Sequence, residues 1–484
     1  VGKRLYFIGI AGTAMGSVAC AAKDSGFDVF GSDTAVYEPM RSMLASAGIH
    51  WFDGYHEENI RNARPDVIIV GNAISRGNPE LEFVLDNRLP MTSMAEFVGG
   101  TFIGRSLSVV VAGTHGKTST STMVAWMLET AGYTPNFLIG GAPRCFDVSC
   151  RYRPTRHSDD KSIFVIEGDE YDTAFFDKRS KFVHYRPWHL LINNVEFDHA
   201  DIFRNLDAVL NSFSSVVRLV PRKGMVFINA DDQHALEVIQ RTKPLAPVQT
   251  VGESAQATWR ILDINRTPDH SEWTLVYDGS TYGRFRTREP GLHSIRNASI
   301  AIASTFHLGV NAHTQQQALD RLILPKRRLE VLGTWQGRIV IDDFAHHPTA
   351  IEVTLDAVRQ RYPSSRICAV FEPRSNTSTR SIFQKEFERC FRTANAVVIG
   401  PVNRPERYAE HDRLNVQAIV DACADQSILT FAVPQSSDKG ASWGLQAIPF
   451  LDSATAAGDV ILLLSNGDVG GLRELLVPRS FTSE

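Results

Sequence analysis

The stretch Val109-Val110-Val111-Ala112-Gly113-Thr114-His115-Gly116-Lys117-Thr118-Ser119 decides how the rest of the chain is read. Its first four residues are apolar and mostly β-branched, the composition of a buried parallel strand. Gly113 and Gly116 then frame a tight turn, and Lys117–Ala131 can run as a helix closed by Gly132. A glycine turn between a strand and a helix aims backbone N–H groups at an anion, on the positive end of the helix dipole. Thr114, His115 and Ser119 belong to that turn and helix start. Lys117 adds a point charge for the outer phosphates of a polyphosphate, and the Thr118 hydroxyl can ligate Mg²⁺. The longer phosphate-loop pattern has glycine where this chain has Val111, so the match is to the shorter Gly-Thr-x-Gly-Lys-Thr form.

The same strand–glycine–helix pattern occurs upstream. Leu5–Ile10 is an apolar run, followed by Gly9-Ile-Ala-Gly12-Thr13-Ala14-Met15-Gly16 and a helix-compatible stretch to about Ser25. A strand over Phe27–Gly31 ends in Ser32-Asp33, and Asp66–Val70 supplies another, the alternation of a βαβ unit. The glycines do not follow the dinucleotide GxGxxG spacing, because Ala11 holds the second-glycine position. The pattern breaks from Gly99-Gly100 to Arg105 before the phosphate-loop strand begins. Further buried strands are predicted at Ser162–Ile166, Leu190–Asn193 and Met225–Asn229, with a loop over Arg151–Lys161. After Leu324-Pro325-Lys326 the alternation restarts. Strands are expected at Ile339–Ile341, Ile367–Phe371, Ala396–Ile399 and Val460–Leu464, with a helix over Ala350–Tyr362. These restarts predict an α/β protein of three successive domains, at 1–105, 106–324 and 325–484.

Composition narrows the partners. A chain of 484 residues exceeds what one core serves, and 43% apolar with 21% charged residues is ordinary for a globular protein. A formal charge of -4 gives no global basic field to recruit nucleic acid or an anionic membrane. No apolar run approaches the roughly 20 residues needed to span a bilayer. The N-terminus enters a strand at once, without a signal peptide, and the six cysteines contain no CxxC pair, so a reducing cytoplasm is expected.

Gly113-Thr-His-Gly-Lys-Thr-Ser-Thr resembles the ATP loop of the Mur ligases, which join amino acids to UDP-N-acetylmuramate, and the resemblance extends along the chain. Ile8–Gly16 with Gly31-Ser-Asp33 resembles the family's UDP-binding segments. Val165-Ile-Glu167-Gly-Asp-Glu170 and Asn193-Asn-Val-Glu-Phe-Asp198-His199 resemble its metal-binding segments. His293-Ser-Ile-Arg-Asn297-Ala resembles its adenine-contacting helix start. Lys326-Arg-Arg328-Leu-Glu and Ile341-Asp-Asp343-Phe-Ala-His346-His347-Pro resemble motifs of its third domain. The resemblance implies a Rossmann-like UDP-binding domain, a central P-loop ATPase domain and a C-terminal Rossmann-like domain. It also implies ATP and Mg²⁺ as cofactors, and an amide bond formed through an acyl phosphate.

That chemistry brings two anions together, so cations and hard oxygen ligands are needed between them. Glu167 and Asp198-His199 follow predicted strands, which in a parallel sheet puts them beside the phosphate loop. Glu167, His199 and Thr118 are therefore the expected metal ligands, with Lys117 and His346 beside them in catalysis. Asp169, Glu170 and Asp172 read more simply as loop carboxylates. Several family members carry a carbamylated lysine about fifteen residues after the histidine; here Ser214 stands there, and no lysine occurs between His199 and Lys223. The branch that adds the first residue to muramate lacks it too.

Gly12, Thr13, Ala14 and Met15 are expected at the UDP diphosphate, with Asp33 and Ser75 contacting the same substrate. Asn297 is expected at adenine, Arg328 at phosphate, and Asp343 at the ribose or orienting a neighbour. His346 and His347 alone do not make a zinc site. Phe371-Glu-Pro-Arg374-Ser-Asn376-Thr377-Ser-Thr-Arg380 resembles the branch that attaches a whole tripeptide, whereas the L-alanine-adding branch usually has a Pro-His-Arg-Tyr-like run. Arg374, Asn376 and Thr377 suit carboxylates of the amine substrate. The expected substrates are UDP-N-acetylmuramate and a murein tripeptide, in peptidoglycan recycling, with L-alanine as the alternative amine. The expected assembly is a monomer or weak homodimer.

Overall fold

Three sheets follow one another along the chain in the computed structural model, which describes residues 2–141, 143–146, 148–154, 162–435 and 442–478. The first contains β1 (Arg4–Ile8), β2 (Asp28–Asp33), β3 (His50–Asp53), β4 (Val67–Val70) and β5 (Met91–Ser93), all parallel, in the order β3-β2-β1-β4-β5. The strand order reverses between β1 and β4, so the crevice at their carboxyl ends is where a ligand binds in such a sheet. Gly9 turns there with φ +84°, and the helix Thr13–Asp24 starts from Gly12.

The central sheet has ten strands in the order β17-β16-β15-β14-β13-β12-β6-β9-β7-β8. Its members are β6 (Leu107–Ala112), β7 (Asn136–Leu138), β8 (Cys150–Arg151), β9 (Ile163–Gly168), β12 (His189–Ile192), β13 (Met225–Asn229) and β14 (Val248–Gly252). β15 (Trp259–Arg266), β16 (Ser271–Tyr277) and β17 (Ser280–Thr287) complete it. A separate hairpin of β10 (Asp172–Ala174) and β11 (Asp177–Ser180) lies between β9 and β12 in sequence. Val109 and Val111 enter one core while Val110 and Ala112 enter another, because successive side chains of β6 point to opposite faces and both faces are covered.

The third sheet runs β18-β19-β23-β20-β21-β22, from β18 (Glu330–Trp335), β19 (Arg338–Asp343), β20 (Ile367–Phe371), β21 (Ala396–Ile399), β22 (Leu429–Ala432) and β23 (Val460–Leu464). Only β18 is antiparallel to its neighbour.

The break at Gly99-Gly100 is a short π-helix, Val98–Ile103. A Cβ on Gly99 would lie 2.2 Å from the His184 carbonyl oxygen, so glycine is what allows the first domain's last turn to touch the central domain. Phe102 stacks on Tyr152 at 4.1 Å, and one apolar core runs through both domains. Two expectations shift in detail. Glu167 lies inside β9 rather than beyond it, and the anticipated loop at Arg151 begins inside β8; residues 155–161 of that stretch lie outside the described residues. No helix among the described residues is long and apolar enough to cross a membrane.

Candidate functional site

Three neighbouring parallel strands converge on one edge of the central sheet. β6 pairs β9 with Val111 opposite Glu167, and pairs β12 with Ala112 opposite Ile192. Gly113 and the segment beginning at Asn193 therefore leave the sheet side by side, with Glu167, the next-to-last residue of β9, on the other side of β6. Gly113 and Gly116 adopt φ +134° and +80°, conformations that favour glycine. A Cβ on Gly116 would stand 2.8 Å from Asn297 Oδ1, so the turn runs directly against the helix Leu292–His307. Asn297 thus lies beside the phosphate loop, where it lines a small cleft with Asn193, Asn229 and Val251. The loop is fastened by its neighbour: Thr114 N donates to Asn194 O at 3.2 Å, and His115 N to Asn194 Oδ1 at 2.8 Å. Ser119 is half-buried as the third residue of the helix Lys117–Thr130.

Lys117 folds back over this turn. Its ammonium donates to Gly113 O at 2.6 Å and to both carboxylate oxygens of Glu170, at 2.9 and 3.1 Å. Burial pushes its pKa down, but Glu170 and Asp169 outweigh burial and hold it raised. His199 Nε2 lies 3.1 Å from Glu170 Oε1, an oxygen that Lys117 also reaches. Burial pulls the imidazole down, and the hydrogen bond to Glu170 with the nearby Asp198 raises it overall. Glu170 is only 3% exposed and bridges Lys117 to His199, a role the sequence did not reveal. Asp169 pairs instead with Lys181 at 2.6 Å, and Asp172 with Lys178 at 2.9 Å.

Glu167 receives Gly140 N at 2.7 Å and the Thr118 hydroxyl at 3.2 Å. Burial raises its carboxyl pKa against the pull of Gly140 N, Arg328 and Lys117. A carboxylate and a hydroxyl at the head of the helix Lys117–Thr130 form a hard-oxygen pair of the kind that suits Mg²⁺. Ser214 is buried in the helix Leu206–Val217, and among the described residues its hydroxyl has no hydrogen-bond partner.

The third domain reaches over the same edge. Arg328 Nη2 donates to Thr118 Oγ1 at 3.2 Å. Asp343 spends both oxygens on backbone, receiving Leu329 N and Ala345 N at 2.8 Å each, so it orients the Arg328 and His346 segments. His346 Nδ1 lies 2.9 Å from its own segment's Phe344 O, which leaves Nε2 unpaired by that bond; burial lowers its pKa. Thr377 donates to Asp198 at 2.7 Å and Asn376 to Asp201 at 3.0 Å, so both fasten the third domain to the central one. Arg374 lies over Gly467, 3.5 Å from Glu372, and lines a cleft of about 310 Å³ with Tyr171, Asn376, Asn403, Arg404 and Arg407. Sequence reading missed Arg404 and Arg407; among the described residues neither has an ion-pair partner.

The first domain's candidates belong to the sheet of β1 to β5. Gly12, Thr13 and Ala14 are exposed at the helix start while Met15 is buried. Asp33 caps no helix. Its carboxylate receives Ala11 N at 2.9 Å, which braces the glycine turn. Ser75 is exposed in the turn after β4, on the edge shared with Gly9, whose Cβ would lie 3.3 Å from Ile74.

A phosphate loop flanked by acidic and basic groups from two domains, with a separate nucleotide-type crevice in a third, defines a three-domain nucleotide-dependent ligase. Family comparisons agree along the whole chain. The Mur ligase family catalytic domain matches residues 4–103, the Mur ligase middle domain 111–305, and the Mur ligase glutamate ligase domain 327–467. The chain is 38% identical over 476 residues to the UDP-N-acetylmuramate–L-alanyl-γ-D-glutamyl-meso-2,6-diaminoheptandioate ligase of Escherichia coli, covering 98% of this chain and 97% of that one. It is 28% identical to the UDP-N-acetylmuramate–L-alanine ligase of Desulfitobacterium hafniense, over 98% and 99% of the two chains. The crystal structure of a murein peptide ligase from Psychrobacter arcticus is similar at TM-score 0.72 and 32% identity, covering 100% of both chains. This chain belongs to the Mur ligase family.

Proposed function

We propose that the enzyme joins the tripeptide L-alanyl-γ-D-glutamyl-meso-diaminopimelate to the lactyl carboxylate of UDP-N-acetylmuramate, consuming ATP, in the reuse of peptidoglycan fragments in the cytoplasm. The observation that carries this reading is the cleft of about 310 Å³ lined by Arg374, Arg404 and Arg407. L-Alanine has one carboxylate, whereas the rest of the tripeptide carries several and is far larger. Three guanidiniums match that charge. The greater identity to the tripeptide ligase than to the L-alanine ligase points the same way.

In the reaction a carboxylate oxygen of the sugar substrate attacks the γ-phosphorus of ATP, and ADP leaves. The peptide amine then attacks the acyl carbon, phosphate leaves, and the ammonium proton is lost. Lys117 and the loop amides neutralise the transferring phosphoryl group. Mg²⁺, where bound by Thr118, Glu167 and His199, would supply charge neutralisation between the two anions. His346, neutral through burial and with Nε2 left as an acceptor, suits the role of taking the amine's proton. Asn297 is suited to adenine, Arg328 to phosphate, and Gly12, Thr13, Ala14, Met15, Asp33 and Ser75 to the UDP-sugar. The proposed assembly is a monomer or weak homodimer.

The test is ADP release from ATP and UDP-N-acetylmuramate with tripeptide and L-alanine offered in parallel. The tripeptide should be used with the higher kcat/KM by a wide margin. Preference for L-alanine would make this the biosynthetic enzyme.

A further inference from the structure

His115, Glu196 and His347 bring three metal-ligating side chains together, all within 4.8 Å of one another. They come from different parts of the fold. His115 belongs to the phosphate loop, Glu196 follows β12, and His347 is the N-cap of the helix Pro348–Arg361 in the third domain. His115 Nε2 lies 3.5 Å from Glu196 Oε2, and His347 Nδ1 lies 3.6 Å from the same oxygen. Both separations exceed the about 2.7–2.9 Å of a charge-assisted hydrogen bond. Ligands held about 2.0–2.1 Å from a tetrahedral ion stand about 3.4 Å apart, which matches both.

The imidazoles are also unspent. Among the described residues, His115 Nε2 and both ring nitrogens of His347 are buried without hydrogen-bond partners, and His347 is only 4% exposed. Buried polar atoms are normally paired, so this arrangement points to an absent partner. The rings are held in place without one: His347 packs edge-on to Phe383 at 4.7 Å, and the two imidazoles lie 5.0 Å apart. Two borderline imidazoles with one carboxylate suit Zn²⁺, Co²⁺ or Ni²⁺ better than Mg²⁺, which takes oxygen ligands.

We propose that His115, Glu196 and His347 bind a divalent transition-metal ion, and that the ion clamps the third domain onto the phosphate loop. It would share no ligand with the Mg²⁺ set of Thr118, Glu167 and His199. Because the two histidines belong to different domains, only the closed arrangement offers all three ligands, and binding stabilises that arrangement by linkage. The inference rests on this geometry and holds whichever amine the enzyme uses.

The test uses the full-length protein, stripped with a chelator and kept in excess Mg²⁺ so that the oxygen site is occupied. It is titrated with Co²⁺ and then Zn²⁺. One equivalent of Co²⁺ should give the visible absorption of a four- or five-coordinate ion, which Zn²⁺ should bleach. Glu196→Gln and His347→Gln should each weaken binding by at least the about 10–100-fold that loss of an outer-shell partner costs. Circular dichroism and metal-free melting identify variants that fold; should either fail, the other decides. Absence of stoichiometric binding to the wild type, or binding unchanged in a folded variant, would overturn the site. Small-angle scattering should show Zn²⁺ contracting the wild-type protein, and bound Zn²⁺ without contraction would overturn the clamp.

Discussion

Lys117 is gripped by a loop carbonyl and by Glu170, so its charge is fixed over the turn proposed to cradle phosphate. Lys117→Ala should remove the group that neutralises the phosphoryl being transferred. A loss of about 3 kcal/mol or more corresponds to at least a roughly hundredfold fall in kcat. ADP-release assays on the folded variant decide this, and near wild-type turnover would detach the loop from catalysis. Glu167→Ala and His199→Ala should each raise the Mg²⁺ concentration needed for half-maximal rate, and unchanged Mg²⁺ titrations in both would remove them from the metal set. With Ser214 in place of lysine, bicarbonate should leave the rate unaltered. Glycine spacing and a Lys-Thr pair made the phosphate loop legible at this scale. Glu170 was not legible, because a carboxylate in a polar loop looks the same in sequence whether it faces water or a buried ammonium.

Buried parallel strands announce themselves as continuous apolar runs, so β6, β13, β20, β21 and β23 could be read almost to the residue. The strands β15 to β17 could not. Their outer face carries Arg260, Glu272, Arg284 and Arg286, which dilutes the apolar signal to alternate positions. The short π-helix at Gly99 was visible only as a break in the pattern. Gly99→Ala should force its Cβ against the His184 carbonyl, an overpacking that costs about 1–3 kcal/mol. A melting temperature several degrees lower is expected, and an unchanged one would show that the π-helix can slide away. The buried histidines of these elements give a pH prediction. Burial pushes His189 on β12 down to about 3, and His293 on the helix Leu292–His307 down to about 4, from the ordinary 6.5. Below about pH 6.5 the unfolded chain therefore binds more protons than the folded one, so stability falls with pH until the buried imidazoles themselves protonate near 3–4. At about 1.4 kcal/mol per pKa unit the whole window is worth at most about 5 kcal/mol for His189 and about 3 kcal/mol for His293. His189→Gln should show a smaller fall in melting temperature between about pH 7 and pH 5, and an undiminished fall would contradict the burial account.

The order of the three domains followed from where the strand–glycine–helix pattern restarted, but nothing local could show how the second and third meet. The contacts that join them pair residues far apart in sequence. Arg328 reaches Thr118, Gln360 reaches Thr267 O at 2.9 Å, Arg361 reaches Arg288 O at 2.8 Å, and Thr377 reaches Asp198. Thr377 and Asn376, expected on the amine substrate, are engaged in this arrangement by Asp198 and Asp201. That leaves Arg404 and Arg407, with Arg374 held 3.5 Å from Glu372, as the guanidiniums lining the cleft, and it gives Thr377 a different experimental signature from Arg374. Thr377→Val keeps the shape but deprives a buried carboxylate of a hydrogen bond, a loss of about 1–3 kcal/mol borne only by the closed arrangement. Closure should therefore become about 5- to 150-fold less favourable. If the amine binds between closed domains, its kcat/KM should fall by up to that factor with tripeptide and with any other amine alike. Arg374→Ala, in contrast, should penalise the tripeptide selectively, by about 30- to 1000-fold, because it removes a guanidinium from a carboxylate that L-alanine lacks. Arg374→Lys should recover only part of this, keeping charge but not the planar fork. Kinetics of the three variants on both amines, with small-angle scattering for the valine variant, separate closure from recognition. An Arg374→Ala enzyme equally impaired on both amines would mean that Arg374 acts by shaping its loop through Glu372 instead.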